Sequence, residues 1–149
     1  MLALKIKIIE KIKKEIEGKI VDVKSNYENT RESRNADTKS SAGDKYETGR
    51  EMIQIEMNKL QALLSQYQSQ LNLMASLDSK PHELVKNGSL VKTNQGYFFI
   101  GLGLGKMQIE TIEFFSISMD SPLGLQLKSK VKNDFYELAG KKYQVLDIV

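Results

Sequence analysis

The sequence predicts an α+β protein: an N-terminal antiparallel two-helix coiled-coil hairpin followed by a small antiparallel β-rich domain. Three observations carry that prediction. Apolar residues recur at helical spacing as far as Met74, a Ser-Asp-Lys-Pro cluster interrupts the pattern between Ser76 and Pro81, and the remainder consists of short apolar runs separated by turn formers. The boundaries are residues 1–77 for the hairpin, with its tip loop near 35–45, and residues 78–149 for the β-rich domain.

The first helix runs from Leu4 to about Arg34. Its stripe is Ile9, Ile12, Ile16, Ile20, Val23 and Tyr27, at gaps of 3 and 4, with Lys and Glu on the other faces. The second stripe is a heptad seam of Ile53, Met57, Leu60, Leu64, Tyr67, Leu71 and Met74. Between them, residues 35–44 are small and polar, so the helices join there and fold back on each other. Each helix of about 30 residues spans roughly 45 Å at 1.5 Å per residue. One heptad before Ile53 lies Tyr46, which places an aromatic on the seam at the end of the hairpin.

Pro81 pushes its predecessor out of helical geometry, and strands are expected beyond it. The runs Ser89 to Thr93, Gly96 to Gly101, Met107 to Ser118, Asp134 to Leu138 and Tyr143 to Val149 read as five strands. Asn87-Gly88, Asn94 to Gly96 and Ala139 to Lys141 supply turns, and the last two strands form a hairpin. Ser121 followed by Pro122 is the signature of a capped helix start, so a short helix is expected there.

Composition excludes much chemistry. In 149 residues there are 22 basic and 19 acidic side chains, one His and no Cys, with 40% hydrophobic and 28% charged residues. That balance suits a folded domain and lacks the concentrated positive charge of a DNA-binding surface. Without Cys there are no disulfides, thiolate zinc sites or thiol nucleophiles. A single imidazole, His82, cannot build a multi-His metal site, and beside Pro81 it reads as a solvated linker residue. The longest apolar run, Tyr97 to Leu104, is too short for a membrane helix. A cytoplasmic protein is expected.

Gly101 to Lys106 invites a phosphate-loop reading, but Ile100 stands where the first Gly of that motif is needed, and no helix follows. The glycines are better read as easing a bend between strands. The Lys-rich first helix, including Lys5, alternates with Glu and reads as a solvated face. Phe98-Phe99 and Phe114-Phe115 are adjacent pairs, so one of each faces away from the other across the sheet.

Two segments carry a family resemblance. Asp44 to Glu51, with Tyr46, then Thr48 and Gly49, then Arg50 and Glu51, resembles the stretch just past the coiled-coil tip of the Gre-type transcript cleavage factors. Ser121-Pro122-Leu123-Gly124, followed by Leu127, Lys130, Asn133-Asp134 and a closing hairpin, resembles the C-terminal domain of the same family. The resemblance implies an FKBP-like C-terminal domain docking on RNA polymerase at its secondary channel. The hairpin is then passed towards the active site, where two acidic tip residues share a Mg²⁺ with the polymerase. It implies no catalysis by the chain alone, no intrinsic cofactor, a monomer, and contact with nucleic acid only through the polymerase.

The chain departs from the family at the tip. Aligned on Tyr46, the acidic pair falls on Lys39 and Ala42, neither of which binds a cation. That departure argues against stimulation of cleavage. Asp37, Asp44 and Glu47 remain as tip acids, with Asp37 and Asp44 the candidates for a shared Mg²⁺. Tyr46 and Arg50 are the candidates for structuring the tip. Asp44 with Glu47 also fits a helix capping box. The alternatives are an FKBP-like prolyl isomerase, for which there is no Trp to floor the pocket, and a coiled-coil adaptor that oligomerises.

Overall fold

The computed structural model describes the backbone of residues 1–37 and 43–149 and the side chains of 1–36 and 47–149. Two helices come first, α1 (Leu2–Asp37) and α2 (Gly43–Ser76). Six strands follow: β1 (Leu90–Thr93), β2 (Gly96–Ile100), β3 (Gly105–Ile109), β4 (Ile112–Ile117), β5 (Phe135–Leu138) and β6 (Lys141–Ile148). A short helix, α3 (Pro122–Leu127), lies between β4 and β5. The chain divides into two compact units. Unit 1 comprises Met1–Lys13 and Leu73–Val149, and unit 2 comprises Lys14–Asn72. The division differs from the boundary at residue 77, because Ile8, Ile9 and Ile12 at the base of α1 are buried and Lys7 pairs with Glu110 in the β3–β4 turn at 2.7 Å.

In unit 2 the predicted stripes are the shielded faces. Ile16, Ile20 and Val23 of α1 are buried with Met57 of α2, and Ile53, Leu60, Leu64, Tyr67 and Leu71 are partly buried. The arms run antiparallel: Lys19 lies over the Tyr67 ring, 5.7 Å from its centroid, whereas Arg34 shares a hollow with Glu47 to Gln54. The α1 stripe continues through Thr30 to a half-buried Arg34 at the same 3–4 spacing.

In unit 1 the strand order is β3-β4-β2-β1-β6-β5. Two expectations need correction. The run from Met107 to Ser118 is part of a hairpin of two strands, because Glu110 adopts a left-handed φ of 53° and reverses the chain. The sheet is also not wholly antiparallel. β4 inserts between β3 and β2 and pairs with β2 in parallel, Tyr97 opposite Phe114 and Ile100 opposite Ile117. The expected β5–β6 hairpin forms, with Ala139 and Gly140 both at positive φ.

The central strand β2 is covered on both faces. Phe98 and Ile100 join Val91, Tyr136, Val145, Ile148 and α3's Leu127 in one apolar cluster. Phe99, pointing the other way, is fully buried. Its ring edge lies 2.9 Å from where a Cβ on Gly101 would stand, and Leu77 lies 3.6 Å from the same point. Phe114 is buried, and Phe115, 40% exposed, stacks on Phe98 at 5.8 Å. The Gly101–Gly105 segment is a bend pinned by Ser116, whose hydroxyl donates to the Leu102 carbonyl at 2.6 Å.

Candidate functional site

The Ser121–Gly124 corner is built as its sequence suggests. Ser121 has extended backbone geometry, and its Oγ accepts from the Gly124 N–H at 3.0 Å while donating to the Ser118 carbonyl at 2.6 Å. Pro122, in the first turn of α3, gives up no hydrogen bond, because its position needs no N–H. Gly124 is required by close approach: a Cβ there would meet the Ser118 carbonyl oxygen at 2.1 Å and that of Met119 at 2.7 Å. The helix start is thus pressed onto the end of β4. Beside it opens a cavity of about 500 Å³ whose walls include Leu73, Leu84, Met119, Asp120, Lys86 and Lys128.

In unit 2, Glu47, Arg50, Glu51 and Gln54 of α2 line a hollow with Arg34 of α1. Glu47 and Glu51 are one helical turn apart, which puts both carboxylates on one face. The structure therefore brings together Glu47 and Arg50 and adds Glu51, Gln54 and Arg34. The side chains of Asp37, Asp44 and Tyr46, together with Lys39 and Ala42, lie outside the described residues, as does the capping role of Asp44. Two guanidiniums beside Glu47 and Glu51 do not suit a Mg²⁺ ion, which needs uncompensated oxygen ligands. Among the described residues, no group of three or more His, Asp or Glu side chains is placed to hold a metal.

A third cluster escaped the sequence reading. Lys5, expected on a solvated face, is fully buried, and His82, expected in a solvated linker, is 6% exposed. Lys5 Nζ donates to the Lys80 carbonyl at 2.6 Å and lies 3.4 Å from His82 Nε2. His82 Nε2 is 2.9 Å from Asp78 Oδ1, and Nδ1 is 2.7 Å from Ser89 Oγ. A carboxylate only accepts, so Nε2–H donates to Asp78, and Nδ1 of the neutral ring accepts from the Ser89 hydroxyl. Ser89 Oγ in turn accepts the Lys86 N–H at 3.0 Å. Burial holds the His82 pKa below its ordinary value, against the opposing hydrogen bond to Asp78 and assisted by Lys5 and Lys86. Burial likewise lowers the Lys5 pKa, opposed by Asp78. The hydrogen bond from His82 lowers the Asp78 pKa.

Asp78, His82 and Ser89 are connected in the order of a hydrolytic triad. Ser89, however, is fully buried and its oxygen is occupied by the Lys86 N–H, so no substrate carbonyl can reach it. The cluster's role is structural. One sequence signal pointed to it: Lys5 lies four residues before Ile9 and so falls on the apolar stripe.

No family model and no curated protein matches the chain. Solved structures similar to it include the transcription factor Gfh1, 16% identical over 91% of this chain and 92% of that one, with a TM-score of 0.39. GreA factor homolog 1 of Thermus thermophilus is 18% identical, covering 87% and 94%, with a TM-score of 0.35. Thermus aquaticus Gfh1 is 18% identical, covering 85% and 91%, with a TM-score of 0.33.

Proposed function

We propose that the chain is a Gre-like transcription elongation factor that binds RNA polymerase as a monomer. The β-rich unit docks at the rim of the secondary channel and the hairpin enters it. The observation that supports this reading is the Ser121–Gly124 corner, in which the family-like residues each meet a physical demand: Ser121 caps α3, and Gly124 stands where a side chain would strike the Ser118 carbonyl. The antiparallel helical pair of unit 2 supports it as the second half of the same plan. Fold alone would not suffice, since one architecture hosts many functions.

On this reading the chain has no catalytic activity of its own. Its action is to occupy the channel, because Lys39 and Ala42 replace the acidic pair and the described carboxylates near the loop are accompanied by Arg34 and Arg50. The polymerase's compartment, the cytoplasm, is then its place of action. No described helix is long and apolar enough to cross a membrane.

Purified chain should co-elute with core RNA polymerase and be displaced by a known secondary-channel ligand; absence of co-elution overturns the reading. On a stalled elongation complex, RNA length should stay unchanged with the wild-type chain. RNA shortening that Asp37→Ala and Asp44→Ala abolish would instead assign those two residues the shared Mg²⁺.

A further inference from the structure

Three of the five buried polar side chains among the described residues, Lys5, His82 and Ser89, belong to one cluster at the base of α1. Lys5 of α1 reaches the segment between α2 and β1 by donating to the Lys80 carbonyl at 2.6 Å, and its ammonium lies 3.4 Å from His82 Nε2. The charged groups facing the imidazole come from each surrounding segment: Lys5 from α1, Asp78 from the turn after α2, and Lys86 from the approach to β1, whose ammonium is 3.8 Å from Asp78. Two cations and one carboxylate already surround the ring.

We propose that Lys5 and His82 form an acid-sensitive catch that holds the first turns of α1 within unit 1, closed while the imidazole is neutral and opened when it takes up a proton. The neutral ring gives one N–H to Asp78 and one lone pair to the Ser89 hydroxyl, while the Lys5 ammonium donates to the Lys80 carbonyl. A second ring proton removes that lone pair. Nδ1 then donates to Ser89 Oγ, the Ser89 hydroxyl proton loses its acceptor, and a third cation stands 3.4 Å from the Lys5 ammonium. Asp78 is half-exposed and already shared with Lys86, so it cannot neutralise both. Relief comes from moving Lys5, and with it the helix that carries it, towards water.

The sign follows from linkage. Above 6.5, the ordinary imidazole value, His82 is neutral in both folded and unfolded chains and contributes no pH dependence. Below it the unfolded chain takes the proton first. Stability therefore falls as pH drops from 6.5 through the folded midpoint, and the loss is complete below that midpoint.

His82 is the only His, so its imidazole Cε1–H signal can be titrated by NMR without assignment. The expected midpoint lies below 6.5, and amide protection factors at Ile8–Ile12 should fall through that same midpoint while those of β2 persist. Lys5→Met should raise the midpoint and uncouple α1 protection from it. A wild-type midpoint at or above 6.5, or α1 protection that does not change across it, overturns the proposal. Because the wild-type titration carries the test, misfolding of Lys5→Met would not rescue it. The test involves no polymerase, so its result is independent of the proposed function.

Discussion

Units 1 and 2 bury comparable kinds of side chain to different depths. In unit 1, Leu90, Phe99, Ile100 and Val145 are completely shielded, because β2 and its neighbours are covered on both faces. In unit 2, among the described residues, the arm of α2 buries only Met57, while Met52 and Ile55 stand more than half exposed. The cause is geometric. Two helices share a single seam, so each covers one side of the other and leaves the rest to solvent. A sheet flanked on both faces encloses its side chains. Unit 2 therefore depends on helix propensity and a shallow seam, and its free energy of local opening should be lower than that of unit 1.

That contrast can be tested by substitution, beginning with the largest expected effect. Phe99→Ala should cost about 4 kcal/mol through the cavity it leaves, measured by urea denaturation and by loss of exchange protection throughout the sheet. Gly124→Ala should cost about 3 kcal/mol, because the Ser118 carbonyl would have to move and α3 to lift with it. Leu64→Ala, at a partly shielded seam position, should cost about 1.5 kcal/mol and reduce exchange protection in unit 2 alone. A Leu64→Ala effect as large as that of Phe99→Ala would break the contrast. Ser121→Ala should cost about 1 kcal/mol through the lost cap, visible as faster exchange at the Gly124 amide. Glu47→Ala, at an exposed position, should change stability by less than about 0.5 kcal/mol, while its effect on polymerase binding reads the hairpin surface separately.

Legibility in the sequence followed the range of the interactions. The α2 seam from Ile53 to Met74 was readable position by position, because helical periodicity is set by residues three and four apart. The α3 cap was equally readable, since Ser121 reaches a partner three residues on. The β5–β6 turn was readable because Ala139-Gly140 carries its own conformational preference. The parallel pairing of β2 with β4 was not: a pleated run of apolar residues looks the same whichever neighbour it takes. Of the candidate tip residues, Glu47 and Arg50 meet because they lie three apart on one helix, a local spacing, whereas the approach of Arg34 depends on how α1 and α2 align.

The sequence by itself determined the two helices, their apolar faces, the capped corner at Ser121 and the chemistry the chain lacks, because each is decided by side-chain type and local spacing. Only the tertiary structure decided that Lys5 and His82, 77 residues apart, share a buried site with Ser89 and Asp78. A lysine and a histidine that each favour water in isolation are drawn inside because the apolar surfaces of Ile8, Ile9 and Ile12 beside them are buried. The cluster's hydrogen bonds then offset the cost of carrying them there.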